Sequence, residues 1–181
     1  HAAGLSRFQH AVAGLTHELT VFVAPDDPVK LSVLTLTNTS GVRRRLSLFG
    51  YVEWCLGQPH EDDRRFVVTE IDEKTGAILA RNGYNTEFAG RIGVWLSSEG
   101  ARSHTCDRSE FVGRHRTIAG PVALLRDQLA GRHGAGLDPC AALQIAVQLE
   151  PGASRRIAFV LGQGRDAEHA TELAARYTAI E

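Results

Sequence analysis

The first candidate for chemistry is Asp107-Arg108, with Glu110 two residues on. A carboxylate beside a guanidinium can grip a sugar hydroxyl or a phosphate, because arginine's planar fork presents paired N–H donors. The competing reading is a salt-bridged loop anchor with Phe111 as its plug. Asp138 closes a second candidate, Gly134 to Cys140, in which glycines followed by Asp-Pro shape the backbone for close approach to a ligand. The same residues also serve as a plain turn feeding a strand from Ala141. Trp54, Trp95, Tyr51 and Tyr84 are candidates for a sugar-stacking platform. Trp54 and Trp95 sit inside apolar alternations and are assigned to the core, and Tyr84, between Gly83 and Asn85, is the better exposed ring.

Other titratable groups offer less. Glu61-Asp62-Asp63 beside Arg64-Arg65 reads as a solvated charge run, and three adjacent carboxylates cannot all face one bond. His104, Cys106, His115, His133 and Cys140 lack the paired spacing of a zinc site, so no metal is expected. Cys140 reads as a packed thiol, since nothing near it in sequence would lower its pKa. His10 and His17 fall on separate strands as ordinary polar positions.

The elements that must position these groups are mostly strands. Val29 to Leu56 alternates through two arms around Asn38-Thr39-Ser40-Gly41 and predicts one long β-hairpin. In its second arm Leu46, Leu48, Val52, Trp54 and Leu56 share one face, while Phe49 and Tyr51 lie opposite beside polar groups. That pattern predicts a strand covered on both sides. Further strands are expected at Leu5–Val12, Leu15–Val23, Phe66–Ile71, Ala77–Arg81 and around Ile92–Leu96. From Ala101 to Asp138 glycines interrupt the pattern and predict a long, irregular and functional loop. Leu143, Ile145, Val147 and Leu149 then alternate as a half-exposed strand, and Pro151-Gly152 turns the chain into a partner at Arg155–Leu161. Asp166 is the expected N-cap of the one convincing helix, with Ala170, Leu173, Ala174, Tyr177 and Ile180 on a single stripe. The fold class is therefore mainly β: an antiparallel β-sandwich with one C-terminal helix.

At 181 residues the chain is one ordinary domain with a real core. Twenty Lys+Arg against 21 Asp+Glu argue against nucleic acid or an anionic membrane surface as partner. No apolar run is long enough to cross a bilayer. Three cysteines fit reduced thiols better than a disulfide framework. The chain has no methionine and begins at His1, and its helical stripe is still running at Glu181, so it is expected to be part of a longer protein.

Four ordered motifs carry a resemblance: Tyr51-Val52-Glu53-Trp54 after the Asn-x-Ser-Gly turn; Ala80-Arg81-Asn82; Asp107 to Arg114; and Gly134 to Gln144. Together they resemble the N-terminal β-sandwich of glycoside hydrolase family 94, formerly glycosyltransferase family 36, most of all in its cyclic β-1,2-glucan synthase branch. The likeness runs from about Leu5 to Gly164 on the motif spacing. It implies a galactose-mutarotase-like supersandwich over residues 1–164 and a linker helix over 165–181 toward an (α/α)6 barrel. The barrel would hold the catalytic acid, inorganic phosphate would be the co-substrate, and no further cofactor is expected. A single protein carboxyl group suffices when phosphate replaces the second carboxylate of ordinary glycosidases. By the same resemblance the sandwich is non-catalytic, supports the barrel, lends loops to a β-glucan oligosaccharide site and mediates homodimer contacts. The parent protein would sit at the cytoplasmic side of the bacterial inner membrane. Asp107, Arg108, Glu110, Tyr84 and Asp138 are the expected substrate contacts, and a stand-alone carbohydrate-binding module is the alternative.

Overall fold

The computed structural model describes residues 4–57 and 61–179. Ten strands form among them: β1 (Leu5–Val12), β2 (Leu15–Val23), β3 (Val29–Asn38), β4 (Arg44–Glu53), β5 (Val67–Ile71), β6 (Ile78–Asn82), β7 (Ile92–Ser97), β8 (Ser103–Asp107), β9 (Pro139–Leu149) and β10 (Ser154–Gly164). Three helices accompany them: α1 (Glu61–Arg64), α2 (Arg108–Val112) and α3 (Ala167–Thr178). A seven-stranded sheet in the order β1-β2-β3-β10-β7-β6-β5 faces a three-stranded sheet in the order β4-β9-β8, and their paired strands are antiparallel.

Period-two patterning builds the layers. Leu36, Trp54, Ile78, Trp95, Leu143, Ile145, Ile157 and Phe159 point into the space between the sheets. On the other face of the large sheet, Val29, Leu31, Val33, Val94 and Val160 form the apolar surface that receives α3. On the far side of the small sheet, Phe49 and Tyr51 pack against Phe111 of α2, so β4 is covered on both faces as its pattern predicts. Gly50 is the small residue that this arrangement requires. A Cβ there would lie 2.1 Å from the Phe159 ring, which stacks on Trp95.

The hairpin expected over Val29–Leu56 does not form. β3 pairs with β2 and β10, while β4 pairs with β9 in the other sheet. No residue from Asn38 to Gly41 takes the positive φ that a tight hairpin turn demands, in contrast to Ala13 and Gly14 between β1 and β2. Instead the chain crosses between sheets, and so does the Pro151-Gly152 turn from β9 to β10. The buried Asn38 side chain fastens both crossings. Its amide donates to Val42 O (2.8 Å) and Leu149 O (3.1 Å) and accepts from the Ser40 N–H (3.1 Å) and hydroxyl (2.7 Å).

Two further expectations change. The irregular region after Ala101 contains a strand, β8, whose Ser-His-Thr-Cys-Asp sequence has no apolar alternation to announce it. β9 is not half-exposed along its length, because β4 and β8 flank it and the α2 region roofs its first half. Gln144, expected on a wet face, is 1% exposed and has its amide N–H bonded to Asp127 O and Ser47 Oγ.

α3 begins as expected, with the Asp166 carboxylate accepting from the His169 N–H at 2.8 Å. Its apolar stripe is covered within this chain: Ala170, Leu173 and Ala174 are buried on the outer face of the large sheet. Gly164 permits this approach, since a Cβ there would meet Ala170 N at 2.4 Å. Tyr177 and Arg176 bond Asp27 and tie the last turn of α3 to the loop between β2 and β3. Ile180 lies outside the described residues. No helix among the described residues is long and apolar enough to cross a membrane.

Candidate functional site

One end of the sandwich collects the C-terminal ends of β4, β6 and β8, the N-terminal ends of β5 and β9, and the helices α1 and α2. Antiparallel pairing brings these ends together although they are distant in sequence. Glu53 closes β4, Arg64 closes α1, Arg108 opens α2, and Asp138 precedes β9.

These four side chains form a closed ring of alternating charge. Arg108 Nε donates to Glu53 Oε1 at 2.9 Å, and Arg108 Nη1 lies 3.7 Å from Asp138 Oδ2. Arg64 Nη2 donates to Asp138 Oδ1 at 3.0 Å and sits 3.6 Å from Glu53 Oε2. Tyr51 adds its hydroxyl to Glu53 Oε1 at 2.8 Å. Each of the four ring side chains is about a third exposed, so the ring is a surface device, although Arg64 Nε is buried beneath it without a hydrogen-bond partner.

The electrostatics follow from this wiring. Burial alone would raise the Glu53 pKa, but the hydrogen bonds from Tyr51 and Arg108 and the two guanidiniums outweigh it and hold the carboxyl below its usual range. Arg108 is held charged by its bond to Glu53, against a smaller effect of burial. The Tyr51 phenol is pushed up by burial and by the neighbouring carboxylate. Glu53 is therefore an anion at neutral pH, suited to accepting hydrogen bonds and unsuited to donating a proton.

The linkage sign gives a testable result. A carboxyl whose pKa is lower folded than unfolded contributes stability above its unfolded value, and loses it as pH falls through the folded one. Thermal unfolding from pH 7 to pH 3 should thus show the wild type losing its advantage over Glu53→Gln at the acid end. A difference between the two that is flat across this range would refute the assignment.

The five expected contacts are distributed unevenly. Arg108 and Asp138 enter the ring. Asp107 is buried beneath it, capping α2 through the Ser109 N–H (3.0 Å) and pairing with Arg132 (2.5 Å). Glu110 turns inward, its Oε1 accepting from Arg126 (2.8 Å) and from the Ala130 N–H (3.1 Å). Tyr84 stands on a separate ledge at the same end, stacked on Phe66 with ring centroids 4.3 Å apart. The Gly134–Cys140 turn is bonded through Gly134 to Thr69 of β5 and bridges the two sheets.

Sequence reasoning misses Glu53 and Arg64, and it takes Tyr51 for a stacking ring where the structure uses its hydroxyl on Glu53. Arg64 reads as part of a solvated charge run, and no spacing rule links positions 53, 64, 108 and 138. The one available signal is Glu53 closing a strand whose face carries Phe49 and Tyr51.

Cys106 is pushed up to about 11 by burial, and burial raises Cys140 too, so both remain thiols near neutral pH. His104 and His133 pair with ring centroids 5.6 Å apart, and burial followed by the His133 charge lowers the His104 pKa. Among the described residues no group of three or more His, Cys, Asp or Glu could hold a metal ion.

A family model described as "Glycosyl hydrolase 94, supersandwich domain" matches residues 1–180. The cyclic beta-(1,2)-glucan synthase NdvB of Rhizobium meliloti (strain 1021) is 34% identical over 163 residues, covering 90% of this chain and 6% of that protein. An N,N'-diacetylchitobiose phosphorylase of Vibrio furnissii is 26% identical over 170 residues, covering 91% of this chain and 21% of that protein. The chain thus spans a small part of the length of both relatives. Among solved structures, a polysaccharide lyase superposes with a TM-score of 0.59 at 12% identity, over 94% of this chain and 23% of that one, a likeness of fold.

Proposed function

The chain belongs to glycosyl hydrolase family 94, as its supersandwich domain, and on that premise we propose that it is the supporting, non-catalytic unit of an enzyme that makes or breaks bonds in β-1,2-glucan. The catalytic acid would lie on a neighbouring (α/α)6 barrel in the same polypeptide, with α3 leading toward it and inorganic phosphate as co-substrate. The glucan specificity rests on the synthase relative. The whole protein would sit at the cytoplasmic side of the bacterial inner membrane, and the sandwich would contribute to homodimer contacts.

The observation that carries the non-catalytic reading is the closed ring. A phosphorylase-type reaction needs one carboxyl group that is protonated at working pH and aimed at the leaving oxygen. Here Glu53, held ionised, lies with Asp138 between two guanidiniums, while Asp107 pairs with Arg132 and Glu110 pairs with Arg126 through Oε1. Such groups are built to orient. The ring's alternating donors and acceptors suit the hydroxyls of a sugar or a face of the barrel.

The deciding experiment is sugar release from linear β-1,2-gluco-oligosaccharides by this chain, with and without inorganic phosphate. Folded protein that releases nothing in either condition supports the reading. Phosphate-dependent release of glucose 1-phosphate would overturn it and return Asp107 and Asp138 as candidate acids. A stand-alone carbohydrate-binding module is the second reading, favoured by the open face of Tyr84.

A further inference from the structure

We propose that Tyr84 is the floor of a sugar subsite, taking one pyranose of a β-linked glucan chain on its open ring face. This rests on the glucan reading above. The ring is 66% exposed, the most open Phe, Tyr or Trp among the described residues. Its inner face lies on Phe66 at 4.3 Å and 17° between planes, and the Arg65 guanidinium is 5.1 Å from the Phe66 centroid. The ring therefore has a backing and leaves one flat apolar face to solvent.

The mounting of this ring is firm. Asn82 is 2% exposed, and its side chain accepts from the Tyr84 N–H (3.1 Å) and the Asn85 N–H (3.2 Å). The same amide donates to Leu56 O and Asp63 O, each at 3.2 Å. Asn85 donates to Asp63 Oδ2 at 2.8 Å and accepts from the Glu87 and Phe88 N–H groups. Gly57, at φ +118°, leaves the space Asn85 fills, since a Cβ there would fall 2.1 Å from its amide nitrogen. Asp63 is thus gripped by the turn that carries Tyr84, and its neighbour Arg64 enters the charged ring. The ledge and the ring are tied into one surface through α1.

Chemistry selects the occupant. A β-linked glucose residue has equatorial hydroxyls and presents axial C–H groups on its faces, so it lies flat on an aromatic ring while its hydroxyls reach polar groups at the rim. A protein partner would need far more apolar surface than one ring face offers, since a stable interface buries about 800 Å² per side. One open ring face, at the same end of the sandwich as the alternating guanidinium and carboxylate groups, matches a single sugar unit better than a side-chain cluster.

The experiment is calorimetric titration of this chain with linear β-1,2-gluco-oligosaccharides, with β-1,4-gluco-oligosaccharides and N,N'-diacetylchitobiose as parallel ligands. Saturable binding is expected, with Tyr84→Ala at least tenfold weaker and Tyr84→Phe within threefold of wild type, because stacking needs the ring and not the hydroxyl. Matching unfolding curves for the variants would confirm that the loss is local. Equal binding by wild type and Tyr84→Ala would overturn the subsite while leaving the glucan reading standing. Tyr84-dependent binding of the other glycans alone would keep the platform and overturn the β-1,2 assignment. No binding of any glycan, or a dimer that dissociates in Tyr84→Ala, would overturn the subsite.

Discussion

Asn38→Ala is expected to lower the unfolding free energy by about 3 kcal/mol, a loss larger than one hydrogen bond is worth. The reason is the number of partners left behind. Asn38 is 0% exposed, and truncation removes the donor to Val42 O and Leu149 O and the acceptor for Ser40. Leu149 is buried at the crossing, so its carbonyl cannot exchange the amide for solvent without cost. The Asn38 backbone is engaged as well, accepting from the Gly152 N–H at 2.8 Å and donating to Ala153 O at 2.9 Å. Both crossings between the sheets therefore loosen at once. Asn38→Asp should be no milder, because it would set a carboxylate against two carbonyl oxygens. Thr39→Ala, at the exposed next position, is the control and should move stability by less than about 0.5 kcal/mol. Urea unfolding of the three variants measures this. A loss under about 1 kcal/mol for Asn38→Ala, no more than one ordinary hydrogen bond, would show that the crossings are held elsewhere.

That residue also marks where the sequence stops being legible. Alternation in Val29–Leu56 correctly assigns which side chains share a face, because period two is a local property of extended chain. Pairing is not local. Two arms with apolar faces pair with each other or with strands far along the chain, and here β3 pairs with β10 while β4 pairs with β9. Asn38 reads as a turn former in either case, and only the buried neighbours reveal it as a fastener between sheets. Strand β8 is hidden for a different reason. Its burial comes from Thr105, Cys106 and Asp107, with no alternating aliphatic or aromatic residues to announce it.

The same limit applies to the site. Asp107, Arg108 and Glu110 read as a single cluster, but they open a helix in which successive residues rotate by about 100°. Asp107 caps, Arg108 faces the ring and Glu110 turns into the interior. The ring draws on four separated segments, which only a fold can assemble. The family resemblance fares better, and the family match over residues 1–180 confirms it. Four motifs in order carry information that no single stretch holds.

Arg108→Ala, made in a full-length protein carrying the proposed barrel, should separate function from stability. Arg108 reaches both carboxylates of the ring, gives Glu53 its shortest guanidinium contact, and is 38% exposed. Exposed ion pairs contribute little to folding, so the variant should unfold within about 1 kcal/mol of wild type. Asp107 still caps α2 and Arg132 still neutralises Asp107, which leaves the helix in place. The ring itself passes from neutral to net negative: two carboxylates then face one guanidinium, and Glu53 loses its nearest guanidinium donor. On the proposed β-1,2-glucan activity, a ring that positions glucan or the barrel should make turnover fall about 100-fold, the scale of a small misplacement near a reacting centre. Arg108→Lys should rescue poorly, because an ammonium cannot present a planar fork to two carboxylates at once. Steady-state rates and urea unfolding on the same preparations decide it. Turnover close to that of wild type in a folded Arg108→Ala protein would reduce the ring to a surface salt bridge.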